Sequence, residues 1–270
     1  MKTLGKILIC MCALVAVSCQ KEAHSQKEMV ESASPVPTLP GWGSSPVRVG
    51  VIGDSISTFE GWIPEGYVAY YPNSSSDIKT VEQTYWHRLI YDLMPDAILD
   101  RNLSYSATRV AKTGAEDKYD DNDFITRLES MGFDDPDIVL IHGGTNDRRK
   151  SLPTHVPLGE FDYDTPVESL DRMSFRPSYI CLVRKIMTLY PGVNIVCLVG
   201  DTLNTEKYMA LADSIRKIAA HYGLPVVDFS YAIETADGVH PSAGGASYMA
   251  DRIFDVLEKE NLLSYRRKVI

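Results

Sequence analysis

Gly53-Asp54-Ser55, Gly143-Gly144-Thr145-Asn146-Asp147 and Asp237-Gly238-Val239-His240 together hold a hydroxyl, a carboxamide, a carboxylate and an imidazole, each segment following an apolar run. A serine hydroxyl is a weak nucleophile until a base takes its proton, and an imidazole oriented by a carboxylate is a common base. Within a turn, residues three apart can face one another. Asp237 can therefore accept the Nδ1 proton of His240 and leave Nε2 free as a base. Pro241 favours this by holding His240 in an extended backbone, and it suits the first position of a following helix. The Asn146 side chain can donate its NH2 to a developing oxyanion. Each segment also has a plainer reading. Asp54 and Ser55 are favoured N-caps where a strand passes into a helix, while Asn146 and Asp147 make local turn hydrogen bonds. Matches to motifs this short arise often by chance, so their weight depends on whether the fold gathers them.

The elements that would position them follow from periodicity. Val47, Val49, Val51 and Ile52 make a nearly continuous β-branched strand, the pattern of a parallel strand buried on both faces, and Gly53 permits a sharp turn at its end. Glu82 to Met94 carries Tyr85, Trp86, Leu89, Ile90, Leu93 and Met94 at helical spacing, with Thr80 and Gln83 spaced as a capping box and Pro95 as the stop. Further strands are expected at Ala97 to Leu103, Asp137 to Ile141, Val193 to Val199 and Leu224 to Asp228. The intervening helices lie near Phe124 to Met131, Ser178 to Tyr190, from about Glu206 to Tyr222, and over Ala243 to Leu257. Alternating strands and helices predict an α/β fold, a flavodoxin-like three-layer sandwich around a five-stranded parallel sheet. Such folds bind ligands at the carboxyl edge of the sheet, and the three chemical segments follow the first, third and fifth strands.

Residues 1–18 have the layout of a secretory signal, with Lys2 and Lys6 ahead of an apolar stretch from Ile7 to Val17. That stretch is too short to span a bilayer, which takes about twenty residues. Ala16-Val17-Ser18-Cys19 resembles the lipobox of bacterial lipoproteins, in which the cysteine becomes the lipidated first residue. Residues 19–46 are rich in Ser, Pro, Lys and Glu and read as a flexible tether, leaving 47–270 as one domain. Residues 1–18 hold two of the 27 basic and none of the 36 acidic residues, so the remainder carries 25 minus 36, or −11, which disfavours nucleic-acid binding. Cys181 and Cys197 lie in apolar segments and read as buried free thiols, although an oxidising compartment permits a bridge if geometry suits. No cluster of His, Cys and carboxylates at ligand spacing calls for a metal, and no cofactor is expected. His87, His142 and His155 read as structural or solvated, with only His142 near the proposed site.

Taken in order, Gly53-Asp54-Ser55, Asn102, Gly144-Thr145-Asn146-Asp147 and Asp237-Gly238-Val239-His240 resemble the blocks of the SGNH (GDSL-like) hydrolase family over about Val47 to Leu257. The resemblance implies an ester hydrolase with Ser55 as nucleophile, His240 as general base, Asp237 as its orienting acid, and Asn146 as an oxyanion donor. It also implies backbone donors from Ser55 and from a glycine just after Asn102. Ser104 stands where that glycine is expected. Asn102 is expected to tie loops together. Phe59, Trp62, Tyr67, Tyr70, Tyr71 and Asn73 form an aromatic loop of the kind that stacks on sugars, and Arg148 and Arg149 open a charged loop that could meet an acidic sugar. A carbohydrate acetylesterase on an exported lipoprotein, lipid-anchored to a bacterial outer membrane, is therefore expected. A lipase-like or thioesterase-like enzyme, or a carbohydrate-binding protein without turnover, is the alternative.

Overall fold

The computed structural model describes residues 45–115, 117–147, 156–200 and 206–267. The expected signal, Cys19, residues 20–44 of the tether, Arg148, Arg149 and His155 lie outside the described residues. Five strands, β1 (Val47–Gly53), β2 (Ala97–Asn102), β3 (Ile138–His142), β4 (Asn194–Val199) and β5 (Val226–Asp228), form one sheet in the order β2-β1-β3-β4-β5. Every pairing is parallel. This is the doubly wound order expected from the alternating pattern, with β1 and β3 side by side at the switch point. Gly53 pairs with His142, so both strands release their loops at the same edge.

The strands are apolar because both faces are covered. Along β3 and β4 successive residues point to opposite sides. Ile138, Leu140, Val196 and Leu198 pack with Trp86, Leu89, Met249 and Ile253, while Val139, Ile141, Ile195 and Cys197 pack with Phe124, Ile180, Leu211 and Ile215. Each of these side chains is essentially removed from water, worth about 1.5–3 kcal/mol apiece for the larger ones. The helices supplying these layers are α1 (Tyr85–His87, continued by a π-helical Arg88–Leu93), α2 (Phe124–Ser130), α3 (Phe175–Leu189), α4 (Glu206–Tyr222) and α5 (Ala243–Lys259).

Two boundaries depart from the periodicity. The helix expected from Glu82 is broken: the Thr80/Gln83 capping box closes a single 3-10 turn, Val81–Gln83, and Thr84 then returns to an extended backbone. Thr84 caps α1 in its turn, accepting from the His87 amide at 3.4 Å. Two consecutive cap residues satisfy two short turns better than one long helix. In contrast, α3 begins three residues before Ser178, with Pro177 in its first turn, where no intrahelical amide is needed. The amides of Phe175 and Arg176 donate instead to the carbonyls of Pro157 and Leu158. Cys181 and Cys197 are both free and buried, and burial pushes the Cys197 thiol up to about 12.

Candidate active site

The turn after β1 assigns the cap and the hydroxyl to different residues. Asp54 is the N-cap of the 3-10 turn Ser55–Ser57, its carboxylate accepting the Ile56 amide at 3.1 Å. That leaves the Ser55 hydroxyl outside the capping bonds. The turn is locked from behind, where Thr58 Oγ1 donates to the Ser55 carbonyl at 2.9 Å and accepts the Tyr70 amide at 2.8 Å. Gly53 is demanded by space, since a Cβ there would sit 2.4 Å from Ser57 Oγ.

The loop after β5 comes to the same edge. Gly238 takes a φ of +83° at the centre of the turn. Asp237 Oδ1 accepts the amides of Val239 and His240 at 3.0 and 2.8 Å, and its Oδ2 lies 2.7 Å from His240 Nδ1. His240 Nε2 stands 2.9 Å from Ser55 Oγ. A continuous hydrogen-bonded chain thus joins residues 185 apart in sequence. Burial alone would raise the Asp237 carboxyl, but the His240 amide and ring, the Tyr70 hydroxyl and the Val239 amide outweigh it and hold the group well below the usual carboxylate range. Pro241 does not open the last helix: it bridges Thr235, and Ser242 is the N-cap of α5, accepting from Gly245 at 3.0 Å.

Asn146 is buried after β3, with Nδ2 donating to the Thr108 carbonyl at 3.0 Å. A carboxamide has two N–H groups, so this bond fixes its plane and leaves one donor for a ligand. Asp147 anchors the same loops: its oxygens accept the Val110 and Ala111 amides at 3.1 and 2.9 Å, and burial raises its carboxyl to about 6. Asn102 spans the nucleophile turn and the loop after β2, donating to the Ser57 carbonyl at 2.9 Å.

Ser104 does not occupy the position expected of it. It is fully buried, and its amide donates to Asn102 Oδ1 at 3.0 Å, so the amide has a partner already. The neighbouring amides are spent as well, Tyr105 on the Gly53 carbonyl, Ser106 on Val68 and Thr108 on Tyr105. From Leu103 to Thr108, among the described residues, the Ala107 amide alone has no acceptor, and Ala107 sits at a φ of +65° on a partly exposed bend. A left-handed residue is the signal that this loop turns an N–H outward, and residue type alone did not reveal it.

One residue the sequence reading passed over lies beneath the site. Arg127 of α2 is fully buried, donating to the carbonyls of Gly53 (3.0 Å) and Leu103 and to Thr108 Oγ1 (3.1 Å), with its guanidinium over the Phe124 ring. No carboxylate among the described residues pairs with it directly. Burial lowers it to about 10, which still leaves it charged at neutral pH. It clamps the end of β1 to the loop that carries Ala107 and Thr108.

The aromatic loop is mostly inward. Phe59 and Tyr71 are buried, and Tyr70 lies flat on His240, which leaves Trp62 exposed and Tyr67 half-buried. Tyr67 stacks on Tyr105 with centroids 4.6 Å apart, and Trp62 leans on Trp86 and His87. His142 is buried edge-on to Tyr85 and Phe229, and burial drops it to about 4, so it stays neutral beside the site. Among the described residues no group of three His, Cys, Asp or Glu could hold a metal, and no helix is long and apolar enough to cross a membrane.

Residues 47–257, from β1 into the last helix, match the model of the GDSL-like Lipase/Acylhydrolase family. The chain belongs to that family. Among solved structures, this acylhydrolase is similar to a candidate GDSL-like lipase of Bacteroides ovatus ATCC 8483 (31% identity, 80% of this chain and 100% of the other, TM-score 0.69). A second, from Bacteroides uniformis ATCC 8492, is 30% identical over 79% of this chain and 96% of its own, with a TM-score of 0.67. A carbohydrate acetylesterase from Sinorhizobium meliloti shares the fold at 18% identity, over 79% and 99% of the two chains, with a TM-score of 0.55. No curated protein matches. The acylhydrolase is thus an enzyme of the esterase and lipase class, built on the five-stranded parallel sheet described above.

Proposed function

We propose that this enzyme is a serine esterase that removes acetyl or other short acyl groups from carbohydrate through an acyl-enzyme. The observation that carries the mechanism is the chain Ser55 Oγ, His240 Nε2, His240 Nδ1, Asp237 Oδ2, with steps of 2.9 and 2.7 Å. His240 takes the Ser55 proton as Oγ attacks the ester carbonyl, and Asp237 stabilises the imidazolium. The second Asn146 N–H and the amides of Ser55 and Ala107 receive the oxyanion, and His240 then protonates the leaving alcohol. Water repeats the sequence on the acyl-enzyme. The carbohydrate assignment draws on the exposed Trp62 and on a 540 Å³ cavity under the same loop, lined by Glu60, Glu65 and the half-buried Tyr67 among others. Acetyl and long-chain nitrophenyl esters, followed by acetylated polysaccharides, test it. Faster turnover of the acetyl ester and acetate release from polysaccharide are expected; preference for long acyl chains overturns the carbohydrate reading in favour of a lipase.

Asn146→Ala should lower kcat by about 10²- to 10³-fold with KM changed much less, because the N–H of its side chain that Thr108 does not hold gains its acceptor only as the oxyanion forms. Ser104→Ala should stay within about tenfold of wild type, since it keeps the amide that serves Asn102 and removes a buried hydroxyl that makes no hydrogen bond. Steady-state kinetics on both variants decide this; equal losses would make the Ser104 hydroxyl a working group of the oxyanion site.

Export and lipidation belong to the same reading, supported by the Ala16-Val17-Ser18-Cys19 sequence. Cys19→Ala should move the protein from the membrane fraction to the soluble one on fractionation of the producing cells. Wild-type protein found wholly in the soluble fraction contradicts the anchor.

A further inference from the structure

Tyr70 touches both the proposed base, His240, and its carboxylate partner, Asp237. Its hydroxyl donates to Asp237 Oδ2 at 2.7 Å, the same oxygen that faces His240 Nδ1, and its ring lies parallel to the imidazole at 3.5 Å and 11°. The backbone around it is pinned: the Tyr70 amide donates to Thr58 Oγ1, and its carbonyl accepts Asn73 Nδ2 at 2.8 Å. Through Thr58, which donates to the Ser55 carbonyl, this loop is tied to the nucleophile turn. One residue therefore holds all three parts of the Ser55, His240 and Asp237 set in register.

We infer that Tyr70 is a positioning residue of the His240–Asp237 dyad, whose ring holds the imidazole in its Ser55-facing orientation and whose hydroxyl draws charge from Asp237 so that His240 stays neutral to lower pH. The inference rests on the catalytic roles given to Ser55, His240 and Asp237 above. The electrostatic logic is competition. Asp237 Oδ1 is occupied by two amides, so the tyrosine hydroxyl and the imidazole share Oδ2, and a donor spent by tyrosine makes the carboxylate a weaker partner for an imidazolium. Burial and Asp237 push the Tyr70 hydroxyl up to about 12, so it remains a donor at any working pH. The other groups around the dyad are common to wild type and variants: Tyr71 edge-on to His240 at 6.3 Å, Ser55 at Nε2, Asp54 and Asp77 acting on the Tyr71 hydroxyl, and Glu234 beside Gly244 at the start of α5.

Tyr70→Phe keeps the stacked ring and removes only the donor, and Tyr70→Leu removes both. NMR titration of ¹⁵N-labelled His240 reads the dyad directly, with or without a substrate in hand. In Tyr70→Phe the imidazole should titrate about half a pH unit or more higher than in wild type, because Asp237 is released to stabilise its charged form. The acid limb of kcat/KM should move with it, giving about threefold lower activity below the limb and an alkaline plateau within about twofold of wild type. Tyr70→Leu should also lower the plateau kcat by about tenfold or more with KM little changed, and phenylalanine should rescue that plateau but not the acid limb. A His240 titration in Tyr70→Phe that coincides with wild type, or moves down, overturns the inference. Failure of the underlying catalytic reading would show separately, as undiminished activity in Ser55→Ala.

Discussion

Ser55→Ala is expected to leave a folded protein whose kcat toward short-chain esters falls by about 10⁵- to 10⁶-fold, the scale on which loss of the nucleophile disables a serine hydrolase. The fold should not notice. Ser55 is almost buried, and its Oγ makes one described hydrogen bond, to His240; the turn itself is held by the Asp54 cap, the Thr58 hydroxyl and the Asn102 side chain. Its stability should therefore stay within about 1 kcal/mol of wild type, which thermal unfolding can check. KM should change little, since the hydroxyl is worth most in the transition state. A serine-directed organophosphonate should label Ser55 in the wild type and nothing in the variant. Labelling at another serine, or activity within about a hundredfold of wild type, removes Ser55 from the mechanism.

Arg127→Met is expected to damage both stability and rate. Methionine fills much of the volume but supplies no donor, so the Leu103 carbonyl loses its buried partner and the Gly53 carbonyl and Thr108 hydroxyl each lose one of theirs. An orphaned buried acceptor costs about 1–3 kcal/mol, and relief from burying a charge offsets part of that. A net loss of about 2–5 kcal/mol is the expected outcome of denaturant or thermal unfolding. The rate should suffer beyond the fold, because the Arg127 clamp joins the turn of Ser55 to the loop of Ala107, and Thr108 in that loop orients Asn146. At a temperature where the variant is folded, kcat should drop at least about tenfold with KM nearly unchanged. Arg127→Lys should not rescue it, since one ammonium cannot reproduce a planar fork spread over three acceptors. Wild-type kcat in folded Arg127→Met would reduce Arg127 to a structural group.

How much of this could be read from residues alone depended on what each group contributes. The sheet order was legible because buried parallel strands must be apolar on both faces, and Val47 to Ile52, Ile138 to Ile141 and Ile195 to Val199 look like nothing else. Ser55, Asn146, Asp237 and His240 were legible as candidates because side-chain chemistry is carried by residue type. Ala107 was not, because an amide donor depends on φ and on which neighbouring amides are already spent. Tyr70 was mistaken for a sugar platform, since its partner Asp237 lies 167 residues away and no local pattern encodes that contact. Arg127 left a signal that went unused: it falls between Phe124, Ile125 and Leu128 on a helix whose other inward residues are apolar. A charge in such a place has to be held by something. The broken helix at Thr84 failed for a simpler reason, because two good caps in succession cannot both be interior to one helix.

The two free thiols set a timetable. Cys181 on α3 and Cys197 on β4 are almost wholly inaccessible, and the Cys197 thiol sits so high that thiolate, the species that attacks disulfides and oxidants, is scarcely formed. In the native fold these two thiols are therefore close to inert toward oxidants, and no disulfide joins them. The unfolded chain has no such shelter, because both thiols then regain ordinary acidity and access. Exposure to oxidant matters only in the interval before α3 closes over β4, and a chain delayed in that interval, by a slow step or a destabilising core mutation, would accumulate cross-linked and oxidised forms that the finished fold never makes.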